Sequence, residues 1–133
     1  MELSSQQLAL KSKAAALSNG LIRKRAAQID QSGEYPWDVV EALKAEHFMG
    51  MTIPKEYGGQ GRSLLDTVLV VEEMARSCTV SARIVVEANM GAIATVMAYG
   101  TDAQRKRAAD LVLAGDKPAI CITEPDAGSD DPS

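Results

Sequence analysis

Aromatic side chains are scarce: one Phe, one Trp and three Tyr among 133 residues. That excludes an interior built on stacked rings. Filling it falls to Ala, Leu, Ile, Val and Met, within a hydrophobic fraction of 46%, and small or unbranched side chains of this kind favour helix packed on helix. Cysteine is limited to Cys78 and Cys121, far apart and without a CxxC or metal-like spacing. A disulfide scaffold and a thiolate metal site are thereby excluded. A reduced, cytoplasmic setting is implied, with each thiol a small core residue. The single histidine, His47, is flanked by charge and reads as an exposed helix residue rather than a catalytic base. No apolar run is seen to approach the roughly 20 residues of a membrane span, and the start MELSS has no basic, then apolar, leader. No membrane partner is expected. Nor is excess positive charge present. The net charge is −4, and the one basic cluster, Arg23 to Arg25, reads as a solvated helix face, so no nucleic-acid partner is expected either.

What remains is a chain of helical periods. Leu3 to Ile29 reads as one long amphipathic helix capped by Ser4 or Ser5, with Leu8, Ala15 or Ala16, Ile22 and Ile29 inward and Gly20 a weak point. A second helix starts at Pro36, with Val39, Val40, Leu43 and Phe48 inward. Gly50 to Arg62 holds four glycines besides Pro54 and reads as a loop. Ser63 caps a third helix, lined by Leu64, Leu65, Val68, Val71 and Met74, with Glu72 and Glu73 outward. A fourth, Ser81 to Tyr99, is almost wholly apolar and is predicted to be central and buried. Thr101 caps a fifth, with Ala108, Leu111 and Val112 inward and Gly115 as its stop. Pro118 to Thr123 is β-branched and reads as a short strand, followed by turn formers from Glu124 onward. The fold class is all-α, a bundle of about five or six helices ending in a strand.

Three stretches carry a family resemblance. FMGMTIP from Phe48 to Pro54 followed by EYGGQG from Glu56 to Gly61 resembles the G-x-x-x-P-x-x-Y-G-G loop of acyl-CoA dehydrogenases. YGTDAQ from Tyr99 to Gln104 is similar to that family's YGTEEQ helix start. CITEPDAGSDDPS from Cys121 to Ser133 matches its first signature. The departures are Ile120, where members often carry an aromatic, and DLVLA from Asp110, where Leu-Pro is usual.

The resemblance implies a division into residues 1–117 (N-terminal helical domain) and 118–133 (opening of a flavin-binding middle β-domain), with the C-terminal helical domain absent. It implies FAD along Ile120, Ile122, Thr123, Gly128 and Ser129, with Ser129 also toward the acyl-CoA, and a homotetramer as the usual assembly. The physics agrees with those roles: Gly128 lets the backbone pass close to a ring or phosphate, and successive turn amides can accept an anion. In that family a carboxylate removes the α-proton while hydride leaves the β-carbon for the flavin. The carboxylate belongs to the C-terminal domain, so no catalytic residue is assigned here, nor any metal ligand. Glu124 reads as a hydrogen-bonding loop residue.

Arg83 opens the most apolar helix, where a guanidinium is costly to bury unless an anion meets it. Glutaryl-CoA dehydrogenases carry an Arg in a similar place, and the FMGM and LAGDKPAICI stretches also resemble an acyl-CoA desulfinase of the superfamily. Arg83 is therefore read as the holder of an anionic acyl tail, its fork suited to carboxylate or sulfinate; the alternative is a surface Arg paired with Glu87. At the level of the whole chain, an acyl-CoA dehydrogenase acting on a short acyl-CoA is set against a desulfinase and against a stand-alone helical interaction module.

Overall fold

The computed structural model describes residues 2–116, 118–121, 123 and 125. The first element is a single rod in three parts: α1 (Ser5–Leu17), a π turn (Ser18–Ile22) and α2 (Arg23–Ser32). Ser4 caps it in a reciprocal box with Gln7, and Gly33 ends it in the left-handed conformation. The inward stripe is Leu10, Ala14, Ser18, Ile22 and Ile29. Leu8, expected inside, is exposed. Ser18 explains the shift. Its hydroxyl donates to the Glu73 carbonyl at 2.5 Å and contacts Ser77 Oγ at 2.9 Å, which turns the wider π turn toward the helix that carries Glu73.

α3 (Trp37–Ala45) buries Val39, Val40 and Leu43, with Phe48 following, as the periodicity implies. It closes with Phe48 N–H on Leu43 O and His47 N–H on Lys44 O, a Schellman pattern. His47 is exposed, but stands at φ 59° in the left-handed cap instead of in the helix.

The glycine loop then doubles back. Gly61 N–H bonds Ile53 O and Arg62 N–H bonds Met51 O, both at 2.8 Å. A 3-10 turn (Lys55–Tyr57) lies between, and the Tyr57 hydroxyl donates to Asp102 Oδ1 at 2.8 Å. Gly59 is there for close approach, since a Cβ would stand 2.1 Å from the Ile53 carbonyl oxygen.

α4 (Leu64–Ala75), capped by Ser63, lies between α1 and the next helix, α5 (Thr79–Glu87). It therefore buries Thr67, Leu69, Val70, Glu73 and Met74, whereas Leu64 and Val68 are exposed. Glu73, expected outward, is buried because α1 brings Lys11 within 3.5 Å of it, with Arg76 at 3.5 Å from its own helix.

The apolar run expected as one central helix is two: α5 (Thr79–Glu87) and α6 (Ala92–Tyr99). Asn89 breaks it. Its side chain accepts from Met51 N–H at 2.5 Å and donates to Phe48 O at 2.9 Å and Val85 O at 2.8 Å. α5 buries Ser81, Ala82, Ile84 and Val85; α6 buries only Ile93, and Tyr99 is 88% exposed. By length and composition alone Thr79–Tyr99, 21 residues in which an 18-residue window has mean hydropathy 1.3, does reach the size of a membrane span; the break at Asn89 interrupts it.

α7 (Asp102–Ala114) has the predicted cap, Thr101 boxed with Gln104, and the predicted stop at Gly115 (φ 94°). Ala109 and Val112 point in and Leu111 is exposed. Among the described residues no strand occurs, including Pro118–Cys121 and Thr123. A segment becomes a strand only by pairing with a neighbour, and no such pairing is present among the described residues.

The core is aliphatic. Ile22, Leu43, Met51, Ile53, Met74, Val39, Val40, Val70 and Val85 are fully buried around Phe48.

Candidate functional site

A cleft of about 510 Å³ opens where α5, the start of α3 and the segment after α7 meet. One face of α5 supplies Thr79, Val80, Arg83, Ile84 and Glu87, residues that helical spacing places on one side. Tyr35 precedes α3, and Met49 comes from the loop that Asn89 holds down. Asp116, Pro118 and Ala119 close the remaining side.

The polar groups are few. Arg83 Nη2 pairs with Glu87 Oε1. The Arg83 side chain is 72% exposed at the rim and that of Glu87 17% exposed beneath it. The guanidinium is thus not buried, and a carboxylate already meets it. Glu87 Oε2 is buried without a hydrogen-bond partner among the described residues. The Tyr35 phenol is held above its ordinary pKa, first by burial and then by the Asp116 carboxylate. Its ring meets Trp37 edge-on at 4.7 Å. Such a cleft can surround a short apolar chain and offer the Arg83 guanidinium at its mouth.

Of the predicted flavin residues, Ile120 is 53% exposed and Thr123 is exposed. Ile122, Gly128 and Ser129 lie outside the described residues, as does Glu124. Cys78 is buried, as its size implies, but Cys121 is exposed and is no core residue. Glu87 was visible in the sequence only as a possible i+4 partner of Arg83. Met49 and Tyr35 were missed as parts of the cleft, and Asn89 as the residue that holds the Met49 loop in place. For Asn89 a signal existed, since it is the single carboxamide in the apolar run from Ile84 to Tyr99. The G-x-x-x-P-x-x-Y-G-G loop brings only the neighbouring Met49 to the cleft and none of its own side chains from Lys55 to Tyr57. Leu113 of α7 fits beneath it, and a Cβ at Gly50 or Gly58 would come within 2.7 or 3.3 Å of that side chain.

A helical bundle whose glycine loop closes on its last helix, with an apolar cleft at the chain's exit, matches a known domain. Residues 4–116 fit the family model "Acyl-CoA dehydrogenase, N-terminal domain", and the chain belongs to that family. It is 58% identical over 128 residues to a 3-sulfinopropanoyl-CoA desulfinase of Paraburkholderia xenovorans, covering 96% of this chain and 33% of that one. A probable medium-chain specific acyl-CoA dehydrogenase 2, mitochondrial, of Caenorhabditis briggsae is 33% identical over 134 residues, covering 97% and 32%. A solved chain described as "Electron transferring flavoprotein of Acidaminococcus fermentans" superposes with a TM-score of 0.88 at 23% identity, covering 98% of this chain and 34% of that one. At that identity the likeness shows the fold alone. The chain spans about a third of the length of the curated relatives it matches.

Proposed function

We propose that this chain forms the N-terminal wall of an FAD-containing acyl-CoA enzyme, and that its reaction is desulfination of a short, sulfinate-ended acyl-CoA. One observation supports the substrate class above others: a single arginine at the mouth of an apolar cleft. The level of identity to the desulfinases supports the reaction.

In this reading the short acyl chain lies against Met49, Val80 and Ile84, which keep water from it. Arg83 binds the terminal anion in a bidentate grip. The balance is simple: the carbon–sulfur bond breaks, water supplies hydrogen to carbon and oxygen to sulfur, and a sulfinate leaves as hydrogen sulfite. No electrons remain over. Thr123, with Ile120, Ile122, Gly128 and Ser129, is assigned to the flavin, Ser129 also to the acyl-CoA. Bound flavin supplies a rigid face for the acyl group and, in a dehydrogenase, a two-electron acceptor.

Dehydrogenation is the second reading, favoured by the 33% identical dehydrogenase. Full-length protein mixed with 3-sulfinopropanoyl-CoA and no electron acceptor separates the two. Desulfination yields sulfite and propanoyl-CoA in equal amounts. Acceptor-dependent formation of an enoyl-CoA from a saturated acyl-CoA, without sulfite, would establish the dehydrogenase instead. A colourless protein doing neither would leave a helical interaction module.

A further inference from the structure

Glu87 is a carboxylate beside a site read as anion-binding. It lies one turn beyond Arg83 on α5 and lines the same cleft. Oε1 engages the guanidinium, while Oε2 is buried with no hydrogen-bond partner among the described residues. An oxygen in that state is poorly compensated. Room for it exists because residue 91 is glycine, where a Cβ would stand 2.6 Å from Oε2. The cleft also contains Asp116, so among the described residues that line it the Arg83 guanidinium stands with two carboxylates. An i,i+4 pair with one partner at the surface is weak and readily exchanged.

We propose that Glu87 is an internal competitor for Arg83, displaced when the terminal anion of an acyl tail binds, and that it thereby sets how strongly the cleft prefers anionic over neutral tails. The proposal rests on the reading of Arg83 given above. While Glu87 holds the guanidinium, a methyl-ended tail meets no unpaired cation. An anionic tail must take the guanidinium from Glu87 and then lie beside that carboxylate, which reduces the gain. Glutamine at this position keeps the shape and removes the charge.

The test uses the full-length protein and two CoA thioesters, succinyl-CoA and butanoyl-CoA, with dissociation constants from calorimetry. The ratio of the butanoyl-CoA constant to the succinyl-CoA constant measures anion preference. In Glu87→Gln it is expected to rise at least about threefold, a weak ion pair's worth, through tighter succinyl-CoA binding. In Arg83→Ala it falls to about one or below, and adding Glu87→Gln to that variant raises it by less than the same change does with Arg83 present. Glu87→Ala, which also removes the charge, gives the same rise should the glutamine variant fold poorly by circular dichroism. If Arg83→Ala abolishes the preference but neither Glu87 variant raises it, the competitor role is wrong and the role of Arg83 stands. If Arg83→Ala leaves the preference intact, both are wrong.

Discussion

A carboxamide buried among aliphatic side chains needs a partner for every polar atom, and Asn89 has them. Its oxygen takes the Met51 N–H, and its nitrogen gives to the carbonyls of Phe48 and Val85. Thr52 Oγ1 adds a bond to the Asn89 carbonyl at 2.6 Å. One residue therefore stops α5 and fastens the loop that carries Met49 into the cleft. Leucine at position 89 has similar size and leaves three backbone groups buried and unpaired. Asn89→Leu should lose about 3 kcal/mol of stability, read from urea unfolding. A loss below about 1 kcal/mol would mean that the loop holds itself. The sequence showed Asn89 only as a polar interruption in an apolar run. Two of its three side-chain partners, Met51 and Phe48, lie about 40 residues away in the chain, and no local pattern encodes them. Glu73 went unread for the same reason: its burial depends on Lys11, brought up by another helix.

Secondary-structure elements were legible at their ends more than in their middles. Caps are local: Ser4 with Gln7, Ser63 with Asp66, Thr101 with Gln104, and the left-handed stop at Gly115 all follow from adjacent residues. Inner faces are not local. A residue dropped into the ladder at Ser18–Ile22 shifts the inward stripe from Leu8 to Leu10. Burial of α4 on two sides brings Thr67 and Glu73 inside and leaves Leu64 and Val68 out. Within the π turn, Gly20 has helical surroundings, and a Cβ added there would meet nothing within 4 Å. Gly20→Ala should therefore raise stability by about 0.5–1 kcal/mol, seen as a higher urea midpoint with unchanged slope. A drop would show that the π turn needs glycine's freedom. Two further ties join elements through charge: Arg25 Nε to Asp38 Oδ2 at 2.6 Å between α2 and α3, and Lys11 Nζ to Glu72 Oε2 at 2.8 Å between α1 and α4. The hydrogen bond from Arg25 holds the Asp38 carboxyl below its usual range, and that from Lys11 does the same for Glu72. A depressed folded-state pKa contributes stability that is present above the unfolded value and disappears as pH falls through the folded one. Wild-type protein should accordingly lose more stability between about pH 5 and pH 3 than Arg25→Met, which lacks one tie. Equal losses would count against the tie.

For the molecule as a whole, the all-helical class followed from the shortage of aromatics and from the helical periods, and three motifs led to the family that the match over residues 4–116 shows. The cleft was less legible. It gathers side chains from Tyr35, Met49, α5 and the segment after α7, which are separated by tens of residues, so only Arg83 stood out. Even there the sequence left two readings, a holder of an anionic tail and a surface Arg paired with Glu87, and the fold sets Arg83 at the rim, engaged by Glu87. Apolar surface at Leu64, Leu111 and Tyr99 is exposed on the same bundle, and the chain spans about a third of the length of its curated relatives. The central claim is that Arg83 and the apolar wall of α5 receive an acyl tail that ends in an anion. A crystal structure of the full-length protein with succinyl-CoA tests it most directly. The tail carboxylate is expected within about 2.7–3.2 Å of the Arg83 guanidinium, its methylenes against Val80 and Ile84, and Glu87 released from the pair. An acyl chain lodged elsewhere, with Arg83 still on Glu87 and facing solvent, would contradict it.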